Sequence, residues 1–189
     1  RIEQEFANLN KVKTAEERQT IVSRIQNFSA VAINLVNEVT QRHGEDPDNW
    51  FARAAVYENL INVLDGSADW AVRIYQEYAN RAPKDPEPHL RIGNIKLAEA
   101  DALRRSGQAG VQGRIFESLK SAEDSYRKTL ELKPNYVLAI YNLGVVYERQ
   151  GRVKDAVGQL EIIRAANLND ANLALQLALL YYRDNQKSR

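Results

Sequence analysis

The chain has 189 residues, 44% hydrophobic and 27% charged, a balance that suits a folded domain or a short array of repeats and argues against disorder. Its 26 basic and 25 acidic residues leave a formal net charge of +1, too weak a field to favour nucleic acid or an anionic membrane as partner. With no cysteine, disulfides, thiolate catalysis and zinc–thiolate sites are excluded.

Near the N-terminus, Thr14 followed by Glu17 forms a capping-box signature. The helix it starts is predicted to run to about Arg42, before Gly44, and to span roughly 43 Å at 1.5 Å per residue. Ala32, Val36 and Val39 fall where the second helix of a helix pair carries its packing residues. Residues 1–46 are therefore expected to form a divergent pair with a long second helix. The most apolar stretch, residues 31–36, is broken by Asn34 and bounded by Asn37, well short of the eighteen or so residues a membrane helix needs. No membrane span is expected within these residues. The chain opens at Arg1 without a methionine, so a preceding segment is expected, and any export signal or anchor would lie there.

Beyond this point the chain repeats itself. The clearest unit is 137–170, containing AIYNLGVVYERQGRVKDAVGQLEII. Leu143, Gly144 and Tyr147 share one helical face, Gly151 ends that helix, and Ala156 and Leu160 recur four apart on the next. Small residues at 144 and 156 let two helices approach closely while larger ones fill the space beside them. This unit resembles the tetratricopeptide repeat, a helix–turn–helix with a period of about 34 residues. Units starting at 47, 86 and 171 follow the same register. The first carries Trp50, Ala54, Tyr57, Ala71, Tyr75 and Pro83. The second carries Ile92, Gly93, Ala122 and Tyr126 and closes on LKPN. The last carries Leu177, Ala178 and Tyr181. Measured against that period, the units starting at 47 and 86 are longer by about 5 and about 17 residues, and both insertions fall between the helices of their pairs. The larger, at 105–114, is expected to lengthen both helices of its pair.

The predicted architecture is all-α: a tetratricopeptide-like α-solenoid, a right-handed superhelix of antiparallel helix pairs. It divides into 1–46, a repeat at 47–85, a repeat with the larger insertion at 86–136, a repeat at 137–170, and a first or capping helix at 171–189. A longer array continuing past the last helix is expected.

Catalytic constellations find no support. His43 and His89 stand alone at helix ends without a second ligand at metal spacing. Carboxylates such as Glu123 and Asp124 fit a solvated helix face. Gly107, Gly110 and Gly113 follow no strand, so they are not read as a phosphate loop. Asn27-Phe28-Ser29 fits a glycosylation sequon but lies inside a predicted helix. Trp50, Tyr57, Tyr75 and Tyr147 occupy packing positions of the repeat and are read as core. No enzyme activity, cofactor or metal is expected.

Binding is where the geometry points. Stacked helix pairs expose a concave wall made by the first helix of each pair. Residues facing away from the seam within each pair are Phe51, Ala55, Leu90, Asn94, Leu97, Tyr141, Val145, Leu175, Leu179 and Tyr182, with Arg91 and Asn142 at the margin. This apolar wall is predicted to hold a peptide or partner helix, with Asn94 and Asn142 bonding the backbone of an extended peptide. Some tetratricopeptide domains clamp a chaperone's C-terminal carboxylate with cations. Here the corresponding positions are Leu90, Asn94, Asn142, Asn172 and Gln176, so the charge-assisted partners are missing and that ligand is excluded. The expected function is a protein–protein interaction scaffold. A second reading rests on the stretches NWFARAAVYENLINVLDGSADWA and LKPNYVLAIYNLGVVYERQG, similar to soluble tails that follow membrane spans in bacterial envelope and polysaccharide-assembly proteins. It makes the chain a structural segment of such an assembly, on the cytoplasmic or extracytoplasmic face of a bacterial membrane.

Overall fold

The computed structural model describes residues 4–5, 14–166 and 171–187. Among them are eight helices and no strand. Two compact units result, Arg1–Pro83 and Lys84–Arg189.

In the first unit, α1 (Ala15–Arg42), α2 (Pro47–Asn59) and α3 (Ser67–Arg81) pack in sequence order. Thr14 Oγ1 accepts from the Glu17 amide at 3.3 Å, satisfying one of the first-turn donors, and Glu16 and Glu17 complement the positive helix end. Asp46 caps α2 with Pro47 directly behind it, where a missing N–H costs nothing. Tyr57 and Tyr75 are buried between α2 and α3, with Ala54 and Ala71 keeping the helices close. Trp50, expected in the core, is instead half-buried. Its indole N–H donates to Gly44 O at 2.9 Å, and the Arg81 guanidinium lies 3.9 Å above the ring, so it ties the α1–α2 turn to the end of α3. The first helix expected within residues 1–46 falls largely outside the described residues.

The second unit holds α4 (Glu87–Ser106), α5 (Gln112–Leu132), α6 (Val137–Arg149), α7 (Val153–Ala166) and α8 (Ala171–Lys187). Each packs on its successor, and α4 also touches α6. One continuous core, including Tyr126, Leu143, Tyr147, Leu160 and Leu177, runs through all five. α6 ends on Gly151 at φ 76°, with the Arg152 amide reaching Tyr147 O at 2.9 Å and the Gly151 amide reaching Glu148 O at 3.0 Å. A left-handed residue closing both bonds turns the chain sharply into α7. Tyr126, fully buried, lies across Gly93, while Gly144 faces Leu160. The position on α8 one repeat beyond Tyr147 is Tyr181. It is 46% exposed, and no helix follows α8 among the described residues.

Candidate functional site

Within the second unit, α4, α6 and α8 are joined side by side through polar contacts. Asn142 Nδ2 donates to Asn94 Oδ1 at 2.9 Å, and Arg149 Nε donates to Asp101 Oδ1 at 3.0 Å, linking α4 to α6. Gln176 Nε2 donates to Tyr141 Oη at 2.8 Å, and Arg183 pairs with Glu148, linking α6 to α8. The wall expected to be apolar is therefore crossed by hydrogen bonds and ion pairs, with apolar side chains between them. Unsatisfied polar groups at a helix seam are costly, which is why these residues pair across it.

The predicted groove residues scatter when placed on this frame. Leu90 is only 2% exposed and belongs to the core cluster with Tyr126 and Leu143, so it lines no groove. Leu90 packs inward with residues of both α5 and α6 in that cluster. Phe51 lies in the first unit, edge-on to Tyr75 and Tyr78 of α3 at 5.4 and 5.3 Å, and so packs within its own pair instead of facing away from it. Leu97 is partly buried against the core, and Arg91 is held by Glu87 at 2.9 Å. Leu175 and Tyr182 are open, at 62% and 65% exposure.

Tyr141, Val145 and Leu179 lie at the seam between α6 and α8, where two hollows open. One of about 180 Å³ is bordered by Val145, Glu148, Leu179 and Arg183. The other, about 620 Å³, is bordered by Tyr136, Leu138, Tyr141, Ile163 and Asn172. Gln176 borders both. The pattern of apolar positions did not single out Gln176 as a lining residue; the signal available was its position four residues before Leu180 and three before Leu179, on the edge of the buried stripe.

Asn94 Oδ1 also accepts from Tyr126 Oη at 2.8 Å. Burial holds the Tyr126 hydroxyl protonated far above the ordinary phenol range, so it acts as a fixed donor. These two bonds use one oxygen of the Asn94–Asn142 pair. Asn94 Nδ2 and Asn142 Oδ1 have no hydrogen-bond partner among the described residues, and neither atom is sealed from solvent. One donor and one acceptor are the groups that the carbonyl and amide of a peptide backbone would need.

Elsewhere the titratable groups serve structure. No group of three or more His, Asp or Glu able to hold a metal occurs among the described residues. No described helix is long and apolar enough to cross a membrane. Glu123 on α5 receives Gln150 Nε2 at 2.9 Å and Arg152 Nη1 at 3.0 Å. Burial raises its pKa. The hydrogen bonds from Gln150 and Arg152, with the Arg152 and Arg127 charges, outweigh this and hold it below its ordinary 4.5. Because the folded value is depressed, the stabilisation is fully present above 4.5 and is lost as pH falls through the folded value. Glu123→Gln is expected to cost about 1 kcal/mol at pH 7 and to flatten the fall in stability below pH 4.5. Urea titrations at pH 7 and pH 3.5 check this, and an equal loss at both would refute it.

Residues 125–158, from the second half of α5 through α6 into α7, match the family model described as tetratricopeptide repeat. No curated protein matches the chain in sequence. Among solved structures the fold is similar to a crystal structure of MamA, with 14% identity and a TM-score of 0.64, covering 92% of this chain and 87% of that one. A second crystal structure of the MamA protein gives 15% identity and a TM-score of 0.63 over 86% and 76%. The protein TTC0263, described as a thermophilic TPR protein in Thermus thermophilus, gives 14% and 0.57 over 96% and 89%. At these identities the likeness is one of fold.

Proposed function

We propose that this chain, a tetratricopeptide-repeat domain, is a protein–protein interaction scaffold that holds an extended segment of a partner protein against α4, α6 and α8. The observation that carries this reading is the free donor and acceptor of the Asn94–Asn142 pair, with Asn142 on α6 next to Tyr141, which borders the seam hollow of about 620 Å³. The pair supplies directional bonds to a peptide backbone, and the hollow takes an apolar side chain; small apolar clefts with a few placed polar groups are the usual form of such sites. Tyr141 and Leu179 offer the apolar contacts and Gln176 a further polar one. In repeat terms the units are 47–85, 86–136 and 137–170, preceded by a divergent pair over 1–46 and followed by a first helix at 171–189.

The apolar residues left open on α8, Leu175, Tyr181 and Tyr182, favour a second reading in which that helix is covered when the domain joins a larger assembly.

Affinity capture from the source cells, with the chain and its Asn142→Ala/Leu179→Glu form as parallel baits, tests the first reading. A partner held by the chain is expected to bind the double variant at least about 100-fold more weakly, a loss in the range of interface hot spots. Circular dichroism is expected to be unchanged, since Leu179 is 52% exposed and Asn94 keeps its bond from Tyr126. A partner retained by the double variant, and lost instead with Leu175→Glu/Tyr182→Glu, would move the function to the outer face of α8.

A further inference from the structure

α8 carries the side chains of an enclosed helix on a face that nothing among the described residues encloses. Residues 171–182 hold no charged side chain, and neither do residues 137–147 of α6, the first helix of the preceding pair. α6 packs against α5 and α7 and also touches α4, whereas α8 packs against α7 and is tied to α6 by Gln176 and Arg183. One repeat period, about 34 residues, sets Ile140 on Ala174, Gly144 on Ala178 and Tyr147 on Tyr181. The three α6 residues are buried, and Gly144 faces Leu160 of α7; the three α8 residues are exposed. Leu175 and Tyr182 widen the open face. A helix apolar on nearly every side is a buried helix in a folded protein. What covers α6 at these positions is a helix, and α8 presents the same surface.

The surface fits a second copy of itself. A covering helix must be uncharged along this stretch and must match small side chains with large ones, as Tyr126 lies across Gly93. α8 meets both demands. In an antiparallel pair with its two-fold axis at Ala178, Ala174 stands opposite the second copy's Tyr182, and Leu175 opposite its Tyr181. Alanine at the axis lets the helices approach closely, and each Tyr182 ring fills the space beside the other copy's Ala174. The Tyr181 hydroxyl donates to Glu161 of α7 at 2.8 Å, which fixes that ring in advance. This direction also sets each positive helix start near the other's negative end. Arg183 and Asp184 then lie across from the uncharged residues 172–173, whereas a parallel pair would stack Arg183 on Arg183. A charged partner would lose hydration against this face and gain no bond. The open apolar surface is on the order of 500 Å² per copy, so the pair hides about 1,000 Å², the size at which specific contacts begin.

We propose that the chain forms a two-fold homodimer through antiparallel pairing of α8 about Ala178, each copy supplying the helix that covers the other's open face. This rests on the reading in which α8 is covered in an assembly, and it names the occupant.

The test is sedimentation equilibrium of the full chain over about 1–200 μM, the range in which a contact of this size associates. The mass is expected to rise with concentration from 21.5 kDa towards twice that value. Leu175→Glu/Tyr182→Glu is expected to raise the dissociation constant at least about 100-fold. Both residues are exposed, so the helical signal is expected to stay. The chain has no cysteine, which allows a direct check of the pairing. Ala178→Cys is expected to give a disulfide-linked dimer on mild oxidation, because the two sulfurs meet at the axis. Tyr182→Cys alone is expected to cross-link poorly, and a mixture of Ala174→Cys and Tyr182→Cys chains to cross-link well. A chain that stays monomeric throughout would overturn the proposal, as would a dimer indifferent to Leu175→Glu/Tyr182→Glu or one that Ala178→Cys fails to link. A monomer that still captures another protein through Leu175 and Tyr182 would overturn the second copy alone. A monomer whose captured partners ignore both residues would overturn the covered-helix reading as well.

Discussion

Replacing Tyr75 with alanine is expected to lower the stability of the first unit by about 3–5 kcal/mol, the usual cost of emptying a fully buried aromatic site. Tyr75 has no exposed surface, stands edge-on to Phe51 at 5.4 Å, and donates its hydroxyl to Glu58 Oε2 across the α2–α3 seam. The alanine leaves a cavity that two helices of 13 and 15 residues cannot close by a small shift, and it strips a carboxylate of one of its donors. Tyr75→Phe keeps the ring and removes only the hydroxyl, so its cost is expected to be about 1–2 kcal/mol. Thermal unfolding followed by circular dichroism separates the two. A midpoint lowered by at least about 10 °C for the alanine form is expected in a unit of this size. Equal effects of the two substitutions would mean that the hydrogen bond, and not the packing, holds the pair together.

Gly93→Ala is expected to destabilise the second unit by about 2 kcal/mol, within the usual range for overpacking. An added Cβ would come within 2.6 Å of Tyr126 Cε1 and 2.8 Å of Cδ1, and the ring has nowhere to go. It is fully buried and its hydroxyl is committed to Asn94. Gly144→Ala is the control. There the nearest atom is the end of Leu160, at 3.2 Å, which can rotate away, and alanine recovers about 0.5–1 kcal/mol of helix propensity. The control is expected to be close to neutral. Because Tyr126 also anchors the Asn94–Asn142 pair, Gly93→Ala is further expected to weaken partner binding at the seam, read by the same capture assay. Equal stability of the two alanine forms would show that Tyr126 yields more easily than its burial implies.

Much of this was legible in the sequence because it is local. Thr14 with Glu17 marks a helix start through one short hydrogen bond, and Gly151 marks a helix end through its left-handed backbone. Neither depends on distant parts of the chain. The apolar spacing of Leu143, Gly144, Tyr147, Ala156 and Leu160 determines that two helices pack closely, since only one face of each can be buried. Recurrence of that pattern determines an all-helical stack.

What the spacing could not decide is which exposed face of a helix stays exposed. A helix inside a stack meets its own partner on one side and the next pair on another. Leu90 is therefore buried in the core shared by α4, α5 and α6, and Phe51 reaches round to the tyrosines of α3. The cross-links Asn94–Asn142, Asp101–Arg149 and Tyr141–Gln176 join residues 35 to 48 positions apart. Their existence rests on the offset between successive helices, which tertiary packing sets. The same holds for the start of α5: the insertion was visible as extra residues, but only the level at which the α6–α7 turn meets Glu123 leaves Phe116 exposed. Helix identity and pairing follow from the helical period, whereas the surfaces a partner can touch follow from how far each helix outruns the next.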